Sequence, residues 1–428
     1  MANDTIYAVS SGRPPSAIAV IRCSGAGAFA AGTVLAGSLP PPRLAALRTL
    51  RDHTGRVLDS ALVLCFPAPA TATGEDLVEL HCHGGRAVVA AVQTALGTCV
   101  GLRPALPGEF TRRALTNGRI DLLEAEGLAD LLEAETEQQR RAAMGAVEGR
   151  VSRMVKGWLD AIAALSARVE AALDYAEEDD VARDRDLATQ VTREMGVLAE
   201  EIDSVLAAPS VERLRDGVRV VIAGPPNAGK STLLNRLSQR DAAIVSSISG
   251  TTRDRIEAPV SRAGLPFVLV DTAGLTDTGD TIEAIGVARA VEAAAAADIL
   301  LWLGDDPPPR TDALWLHARA DLPERAVMPD GPEIAIYGHD PASVEAVWHE
   351  IGRRAAEVMA YDGNGFIMRD RQRGLCQVAA DALRSPSRDP LLRAEALAQG
   401  RRALAEVLGL DHTEAMLDAL FSRFCLGK

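Results

Sequence analysis

A phosphate-binding loop between a strand and a helix is the feature that most constrains the fold of this chain. The apolar run VRVVIAG (218–224) is typical of a buried strand, and GPPNAGKST (224–232) follows it with P-loop spacing. In such a loop, backbone N–H groups surround the phosphates, Lys230 brings positive charge to the outer phosphates, and the Ser231 hydroxyl can bind Mg²⁺. The stretch therefore predicts an α/β nucleotide-binding domain; the alternative is a glycine-rich turn without a ligand.

Two later segments carry the other elements of a nucleotide switch. In SSISGTTRD (246–254), Thr252 is placed to complete the Mg²⁺ shell, and in LPFVLVDTAGL (265–275) a strand ends at Asp271, which can hold Mg²⁺ through water. The Gly274 N–H can sense the γ-phosphate. The three segments in this order predict a Ras-like GTPase switch that binds GTP and Mg²⁺. The predicted nucleotide-contacting residues in them are Asn227, Ala228, Gly229, Lys230, Ser231, Thr232, Ser246, Ser247, Ile248, Ser249, Gly250, Thr251, Thr252, Asp271, Thr272, Ala273 and Gly274.

The residue that orients the attacking water departs from the Ras-like pattern. Ras-like enzymes carry a glutamine directly after the DTAG segment, whereas this chain has Leu275 there. The nearest plausible carboxylate is Glu283, in DTIEAIGVARA (280–290). On this sequence alone, a solvated charge on a helix is the favoured interpretation of Glu283.

The segment that reads the nucleobase also departs from the usual pattern. Guanine is normally read by Asn-Lys-x-Asp, and the corresponding stretch here is ARAD (318–321), in which the Asn is absent and Arg319 replaces the Lys. Asp321 can still accept hydrogen bonds from guanine N1 and N2. The Ser-Ala expected after the following strand reads YGHD (337–340). We therefore expect guanine selectivity to be weakened.

Composition limits the class of protein and the kind of partner. At 428 residues the chain is long enough for about two to four domains. Its longest apolar stretches are far shorter than the roughly 18 to 20 residues of a membrane-spanning helix. The six cysteines form no CxxC pair, which predicts reduced thiols and a cytoplasmic location. A net charge of −14 indicates that any contact with nucleic acid is local or shared with a more basic partner.

The distribution of apolar residues, glycine and proline along the chain predicts a multidomain α+β and α/β protein. Residues 1–118 combine short strands with helical patterns and predict an α+β domain. Residues 119–214 have apolar residues at helical spacing and almost no Gly or Pro, and residues 361–428 are helical again up to the tail FCLGK. The P-loop GTPase domain, 215–360, is therefore predicted to be inserted into one helical domain.

Two further features, the HCHGG segment and Cys425, could indicate metal binding and nucleophilic catalysis, but each has a structural explanation as well. HCHGG (81–85) could bind a metal, but alternation along a strand end explains it equally well. Cys425 could be a nucleophile, but no histidine-containing triad can be assigned to it, and free cysteines are often simply buried.

Motifs in all three regions resemble one family, that of the tRNA modification GTPase MnmE, also called TrmE. The resemblance covers essentially the whole chain; only about 304–345 is short and divergent. The segments that carry it are GEDLVELHCHGG (74–85), PGEFTRRALTNGRIDLLEAEGLADL (107–131), VVIAGPPNAGKSTLLNRL, AAIVSSISGTTRD, DTAGL with IEAIGVAR, and the terminal FCLGK (424–428).

The resemblance implies a function as well as a fold. It implies an N-terminal folate-binding domain that forms a homodimer, a central helical domain and an inserted GTPase domain. Members of this family act on tRNA in a heterotetramer with MnmG, a partner that carries FAD. Together they add an aminomethyl or carboxymethylaminomethyl group at C5 of the wobble uridine, using 5-formyl- or 5,10-methylene-tetrahydrofolate.

The resemblance also assigns roles to particular residues. It implies Glu283 as the catalytic residue that orients water, because the family's glutamate stands three residues before a glycine, as Glu283 does before Gly286. It implies K⁺ in place of an arginine finger, with GTPase domains pairing across the dimer. The implied K⁺ ligands are Asn227, Ser246, Ile248 and Thr251. The implied folate contacts are Arg22, Glu79, Arg119, where the family usually has Lys, and Lys428.

Two other classes of function stay open from the sequence. One is a ribosome-assembly GTPase that binds RNA without modifying it, but such proteins usually carry a basic RNA-binding appendage and this chain is acidic. The other is a scaffold with a degenerate GTPase domain, which the altered ARAD and YGHD segments leave open and which the intact P-loop, Thr252 and DTAG oppose.

Overall fold

The protein, seen in a computed structural model, folds into two compact units. The first comprises Met1–Ala129, Ser152–Leu159 and Arg402–Lys428, and the second comprises Asp130–Val151 and Asp160–Arg401. The structure describes residues 4–174, 181–207, 216–239, 257–272, 294–338, 340–359, 368–384, 389–410, 414–422, 424 and 427.

The first unit contains a six-stranded sheet. Its strands are β1 Thr5–Val9, β2 Ile18–Ser24, β3 Ala46–Arg51, β4 Val57–Phe66, β5 Leu77–His83 and β6 Leu102–Pro104. They lie in the order β3-β4-β5-β2-β1-β6. Neighbouring strands are antiparallel, apart from β1 and β6, which are parallel.

Alternation along the strands separates a core face from an open face of this sheet. In β2, Ala19, Ile21 and Cys23 are buried, whereas Arg22 between them is only half-buried. The buried face packs against helices α1 (Ala28–Ala36) and α2 (Arg86–Gly97). The open face therefore presents polar side chains such as Arg22.

Long amphipathic helices follow the N-terminal sheet and return after the second sheet. In chain order, the remaining helices are α3 Glu109–Thr116, α4 Leu122–Glu133, α5 Glu137–Val147, α6 Arg150–Asp174, α7 Val181–Leu206, α8 Lys230–Gln239, α9 Pro341–Met359, α10 Asp370–Leu383, α11 Pro390–Val407 and α12 Glu414–Phe421. Within the second unit, α7 packs against α10. Burial of Leu198 and Ile202 at a four-residue interval gives α7 one apolar face.

The second unit contains another six-stranded sheet, built around the P-loop. Its strands are β7 Val218–Ala223, β8 Glu257–Arg262, β9 Leu265–Asp271, β10 Ile299–Trp302, β11 Leu314–His317 and β12 Ile334–Ala335. The order is β12-β11-β10-β7-β9-β8, and every neighbouring pair is parallel except β8 and β9.

The order of the strands reverses at β7, which delivers the P-loop. Strand β7 pairs with β10 on one side and with β9 on the other, so the connections leave it in opposite directions. In open parallel sheets, ligands bind at the carboxyl ends of the strands beside such a reversal. The topology thus brings the residues that follow β7, β9, β10 and β11 to one edge of the sheet.

The predicted fold class is confirmed: an α+β N-terminal region, long helices and a P-loop α/β region between helical stretches of the chain. The predicted domain boundaries stay predictions. No helix among the described ranges has both the length and the apolar character needed to cross a bilayer.

Candidate nucleotide and folate sites

The P-loop is held in shape by its own lysine. Lys230 is buried, and its Nζ donates hydrogen bonds to the carbonyl oxygens of Gly224 and Pro225, both at 2.9 Å. Burial lowers the pKa of Lys230, and the nearby Asp271 carboxylate partly opposes this shift. Gly224 has a φ of 153°, and a Cβ there would lie 3.2 Å from the Leu303 backbone. The loop therefore keeps a cation at its centre and requires glycine where it passes β10.

A hydroxyl and a carboxylate suited to Mg²⁺ lie beside this lysine. Ser231 Oγ, in the first turn of α8, donates a hydrogen bond of 2.6 Å to Asp271 Oδ2 at the end of β9. Thr272 Oγ1 donates to the Ile222 carbonyl at 2.9 Å and ties the end of β9 to β7. Mg²⁺ prefers oxygen ligands and is usually held by few protein groups besides phosphate and water. Ser231 and Asp271 fit that requirement.

A cavity of about 460 Å³ opens at this edge of the sheet. The P-loop residues Asn227 to Thr232 form one wall, and the other wall includes Arg319 and Gly338. Gly338 N donates to Asp321 Oδ1 at 2.9 Å, and Arg319 NH1 lies 3.3 Å from the Asn227 carbonyl oxygen. The altered base-reading stretch therefore reaches the same cavity as the P-loop.

Of the four predicted K⁺ ligands, Asn227 lies within the described residues. Asn227 has a left-handed backbone with φ of 60°, and its side chain is exposed at the cavity. An exposed amide oxygen is a suitable ligand for K⁺. Asn227 fits the assigned role, while Ser246, Ile248 and Thr251 lie outside the described residues.

Several other predicted site residues also lie outside the described ranges. They are Ser247, Ser249, Gly250, Thr252, Ala273, Gly274, Glu283, Lys428 and the cysteine at position 425. Their assignments stay predictions.

The first unit brings Arg22 and Glu79 together on the open face of its sheet. They are cross-strand partners in β2 and β5, and Arg22 donates to Glu79 Oε1 through NH2 at 2.8 Å and Nε at 3.1 Å. His81 Nε2 lies 3.1 Å from Glu79 Oε2. Burial opposes ionisation of Glu79, but the His81 and Arg22 contacts outweigh it, so the pKa of Glu79 is lowered. A carboxylate held ionised in this way can accept N–H groups of a pterin ring.

Arg119 reaches the same region through the loop between β4 and β5. Its Nε donates to the Thr71 carbonyl at 3.2 Å. Farther along that loop, Thr73 Oγ1 lies 2.7 Å from Ser24 Oγ, two residues from Arg22 in β2. One loop thus connects Arg119 with the strand that carries Arg22.

The end of the chain is anchored beside β1. Ser10 Oγ donates to the Gly427 carbonyl at 2.8 Å, and Ser10 N donates to the Val20 carbonyl at 2.8 Å. Gly427 has a φ of 91°, and a Cβ there would overlap the Val9 carbonyl oxygen. Gly427 is therefore held at the end of β1, the strand that pairs with the Arg22-bearing β2.

The HCHGG segment is explained by the strand that contains it. Cys82 faces the core, whereas His81 and His83 bind the carboxylates of Glu79 and Asp59. Within the described ranges, no group of three or more His, Cys, Asp or Glu residues is placed to hold a metal ion.

Sequence reasoning did not identify several residues that shape these sites. Ser10 carries no motif signal, and its partner is 417 residues away. Arg236 and Arg325 both hold backbone beside the cavity, through the Tyr337 and Ala318 carbonyls respectively. An arginine in a helix or turn has no distinctive spacing, so nothing in the sequence marks these contacts.

Comparison with protein families matches both the N-terminal region and the rest of the chain. The family described as "GTP-binding protein TrmE N-terminus" matches residues 5–119. The family described as "MnmE helical domain" matches residues 122–425.

Curated relatives match the chain from end to end. A "tRNA modification GTPase MnmE" from Erythrobacter litoralis is 51% identical, covering 99% of this chain and 100% of the relative. Proteins of the same description from Rhizorhabdus wittichii and Novosphingobium aromaticivorans are each 49% identical. They cover 100% and 99% of this chain, and 97% and 100% of the respective relatives.

Proposed function

The chain belongs to the MnmE family of tRNA modification GTPases, and from this premise we propose that it hydrolyses GTP to drive modification of the wobble uridine of certain tRNAs. The group added at C5 is aminomethyl or carboxymethylaminomethyl, and a tetrahydrofolate derivative supplies one carbon. The reaction takes place in the cytoplasm as part of tRNA processing.

The observation that carries the proposal is the assembly of Lys230, Ser231 and Asp271 at the reversal point of the second sheet. Lys230 supplies the positive charge that meets the outer phosphates, where it exchanges its two carbonyl contacts for phosphate oxygens. Ser231 Oγ and Asp271 Oδ2 lie 2.6 Å apart, and these two residues would hold Mg²⁺. When bound, Mg²⁺ neutralises charge on the β- and γ-phosphates.

Selective contacts at the base and the attacking water complete the proposed hydrolytic site. Asp321 accepts the guanine N1 and N2 hydrogens. Glu283 orients the water in place of the glutamine that Leu275 replaces. Asn227, Ser246, Ile248 and Thr251 would hold K⁺, which would supply the positive charge that an arginine finger provides in other GTPases.

Folate binding is assigned to the open face of the N-terminal sheet. Glu79, kept ionised beside Arg22, faces the pterin N–H groups, and the cationic Arg119 and Lys428 suit the anionic glutamate tail of the ligand. Arg22 lies with its guanidinium carbon 5.9 Å from the centre of the Phe110 ring, which supports its orientation.

The proposed assembly is a homodimer that joins an MnmG-like flavoprotein in a heterotetramer. The partner contributes FAD, and the two proteins share the tRNA. The net charge of −14 is consistent with a partner that provides much of the basic surface for tRNA.

Loss of this protein should remove the C5-aminomethyl-type modifications from wobble uridines. The measurement is mass spectrometry of tRNA nucleosides from cells with the gene intact, with the gene deleted, and with a plasmid copy encoding Lys230→Ala. We expect only the intact gene to give the modified nucleosides, because Lys230 is central to phosphate binding. Unchanged nucleosides in the deletion strain would reject the proposal and favour a ribosome-assembly GTPase or a scaffold.

The C-terminal tail should be required for folate binding and not for GTP binding. Deleting residues 424–428 removes Lys428 together with the anchor at Gly427, so we expect affinity for 5-formyltetrahydrofolate to fall about tenfold or more, as for loss of a charged contact. Calorimetric titration with this folate and with GDP measures both sites.

Gly427→Ala keeps the length of the tail and disturbs only its path, because a Cβ would overlap the Val9 carbonyl oxygen. We expect it to weaken folate binding as well. Gly55→Ala is the matched control, since Gly55 also has a positive φ, of 83°, but has open space around it. Unchanged folate affinity in the deletion variant would show that the tail does not contribute to the site.

A further inference from the structure

The loop that carries Arg319 and Asp321 lacks a polar side chain where such loops usually have one. Ala318, at the position of the usual Asn, is buried and can offer only its backbone groups. Arg319 has a left-handed backbone with φ of 60°, a conformation that is costly for a residue with a Cβ. Something outside positions 318–321 must therefore hold this loop in place.

Ala320 N donates to the Ile336 carbonyl at 2.9 Å, and Arg325 makes the contact at Ala318 itself. Its Nε donates a hydrogen bond of 2.9 Å to the Ala318 carbonyl oxygen. Its NH1 and NH2 donate to the two carboxylate oxygens of Asp305, at 3.1 and 2.6 Å. The guanidinium is thus fixed on both sides, with Asp305 orienting it and Ala318 receiving its third hydrogen bond.

The backbone of Arg325 is fixed as well. His317 is buried at the end of β11, and its Nε2 lies 2.8 Å from the Arg325 carbonyl oxygen. Because a carbonyl only accepts, this nitrogen carries the hydrogen. Side chain and backbone contacts therefore close a ring that joins the end of β11, the loop 318–321 and the turn at 323–325.

We propose that Arg325 is a positioning residue for guanine recognition: through the Ala318 carbonyl it holds the loop 318–321 beside the cavity, in place of the amide side chain that position 318 lacks. The inference rests on the proposed binding of GTP at this cavity. It extends that function by naming the contact on which selectivity for the base depends in this chain.

The solvent exposure of the Arg325–Asp305 ion pair indicates that the pair orients the loop 318–321 and contributes little to folding stability. The side chain of Asp305 is 72% exposed and that of Arg325 is 25% exposed. Ion pairs so open to solvent contribute little to folding stability. Orientation of a loop is a different requirement, because a displacement of about 1 Å is enough to break hydrogen bonds to a base.

The test compares binding of GDP and IDP by fluorescence titration with the labelled nucleotides. IDP lacks the 2-amino group, so the ratio of the two dissociation constants measures the contact that Asp321 makes with that group. Arg325→Gln should weaken GDP binding about tenfold, the effect typical of losing a charge-assisted hydrogen bond, and should bring the ratio toward one. Arg325→Lys should recover part of the ratio, because Lys keeps a donor but lacks the planar fork.

Two further variants separate positioning from a general loss of structure. Ala318→Asn combined with Arg325→Gln restores an amide at position 318 and should recover most of the preference for GDP. Asp305→Asn leaves Arg325 in place without its charged partner and should give an intermediate ratio. Melting temperatures of all variants establish that each is folded.

Arg310→Gln is the matched control. Arg310 also pairs with an aspartate, Asp312, and donates to backbone carbonyls, but these belong to Ala294 and Ala297, which do not line the cavity, whereas Ala318 does. It should leave the ratio of GDP to IDP affinity at the wild-type value.

The possible failures are distinguishable. A wild-type ratio retained by both Arg325→Gln and Asp305→Asn, with both folded, would overturn the positioning role and leave the GTPase function standing. Equal affinity of the wild-type protein for GDP and ADP would overturn guanine recognition itself, and the positioning role with it.

Discussion

Replacing K⁺ by Na⁺ at constant ionic strength should lower the rate of GTP turnover about 10³-fold and leave GTP binding almost unchanged. The positive charge that an arginine finger brings to the transition state is worth about 10³-fold or more in other GTPases. Here that charge is assigned to a cation held by Asn227 and the loop 246–251. Since it acts on charge that develops only during cleavage, its loss affects kcat and not affinity.

The measurement is steady-state phosphate release in KCl and in NaCl, with nucleotide affinity measured in both salts. Asn227→Ala should reduce the response to K⁺, because it removes the exposed amide at the cavity. Asn235→Ala changes an exposed asparagine of the same domain and should keep the full response. Turnover equal in the two salts would remove the cation-binding role from Asn227.

Glu283→Ala should lower kcat for GTP hydrolysis by about 10²- to 10⁴-fold, the usual contribution of a side chain that positions and activates the attacking group. A thousandfold loss corresponds to about 4 kcal/mol of transition-state stabilisation. Leu275 has no group that can orient water, so it cannot take over the role of the carboxylate. GTP affinity and the K⁺-dependent pairing of GTPase domains should persist.

Single-turnover hydrolysis separates the chemical step from product release in this experiment. Glu283→Gln keeps the size and loses the charge, and should also be slow if the carboxylate itself orients the water. Glu357→Ala removes an exposed carboxylate paired with Arg353 on α9 and should hydrolyse GTP at the wild-type rate. A fully active Glu283→Ala would return Glu283 to the interpretation of a solvated helix charge.

The fold class and the phosphate end of the nucleotide site were accessible from the sequence because they depend on short-range patterns. The spacing within GPPNAGKST and the apolar run before it are local, and they determine that a strand enters the loop and a helix leaves it. Asp271 was likewise marked by its place at the end of an apolar strand. In the structure, Asp271 Oδ2 lies 2.6 Å from Ser231 Oγ, because neighbouring parallel strands end at the same edge of a sheet.

The residues that shape the base-binding end of the same site could not all be identified from local sequence patterns. The sequence showed that Ala318 and Arg319 depart from the usual motif, which predicted weaker guanine selectivity. It could not show that Arg325 holds the Ala318 carbonyl, since a hydrogen bond to backbone leaves no mark on the identity of the residue that accepts it. The consequence for selectivity depends on that contact.

The sequence by itself determined which segments carry phosphate-binding motifs, where strands and helices alternate, and which family the motifs resemble. Only the tertiary structure decided which distant side chains complete each site. Arg22 on β2 is the cross-strand partner of Glu79 on the adjacent β5, and Ser10 binds Gly427, which is 417 residues away in the sequence. The physical reason is that local patterns follow from backbone geometry over a few residues. Contacts between segments that are distant in the sequence depend on how whole helices and strands pack. Local sequence patterns do not show which of these segments come close together.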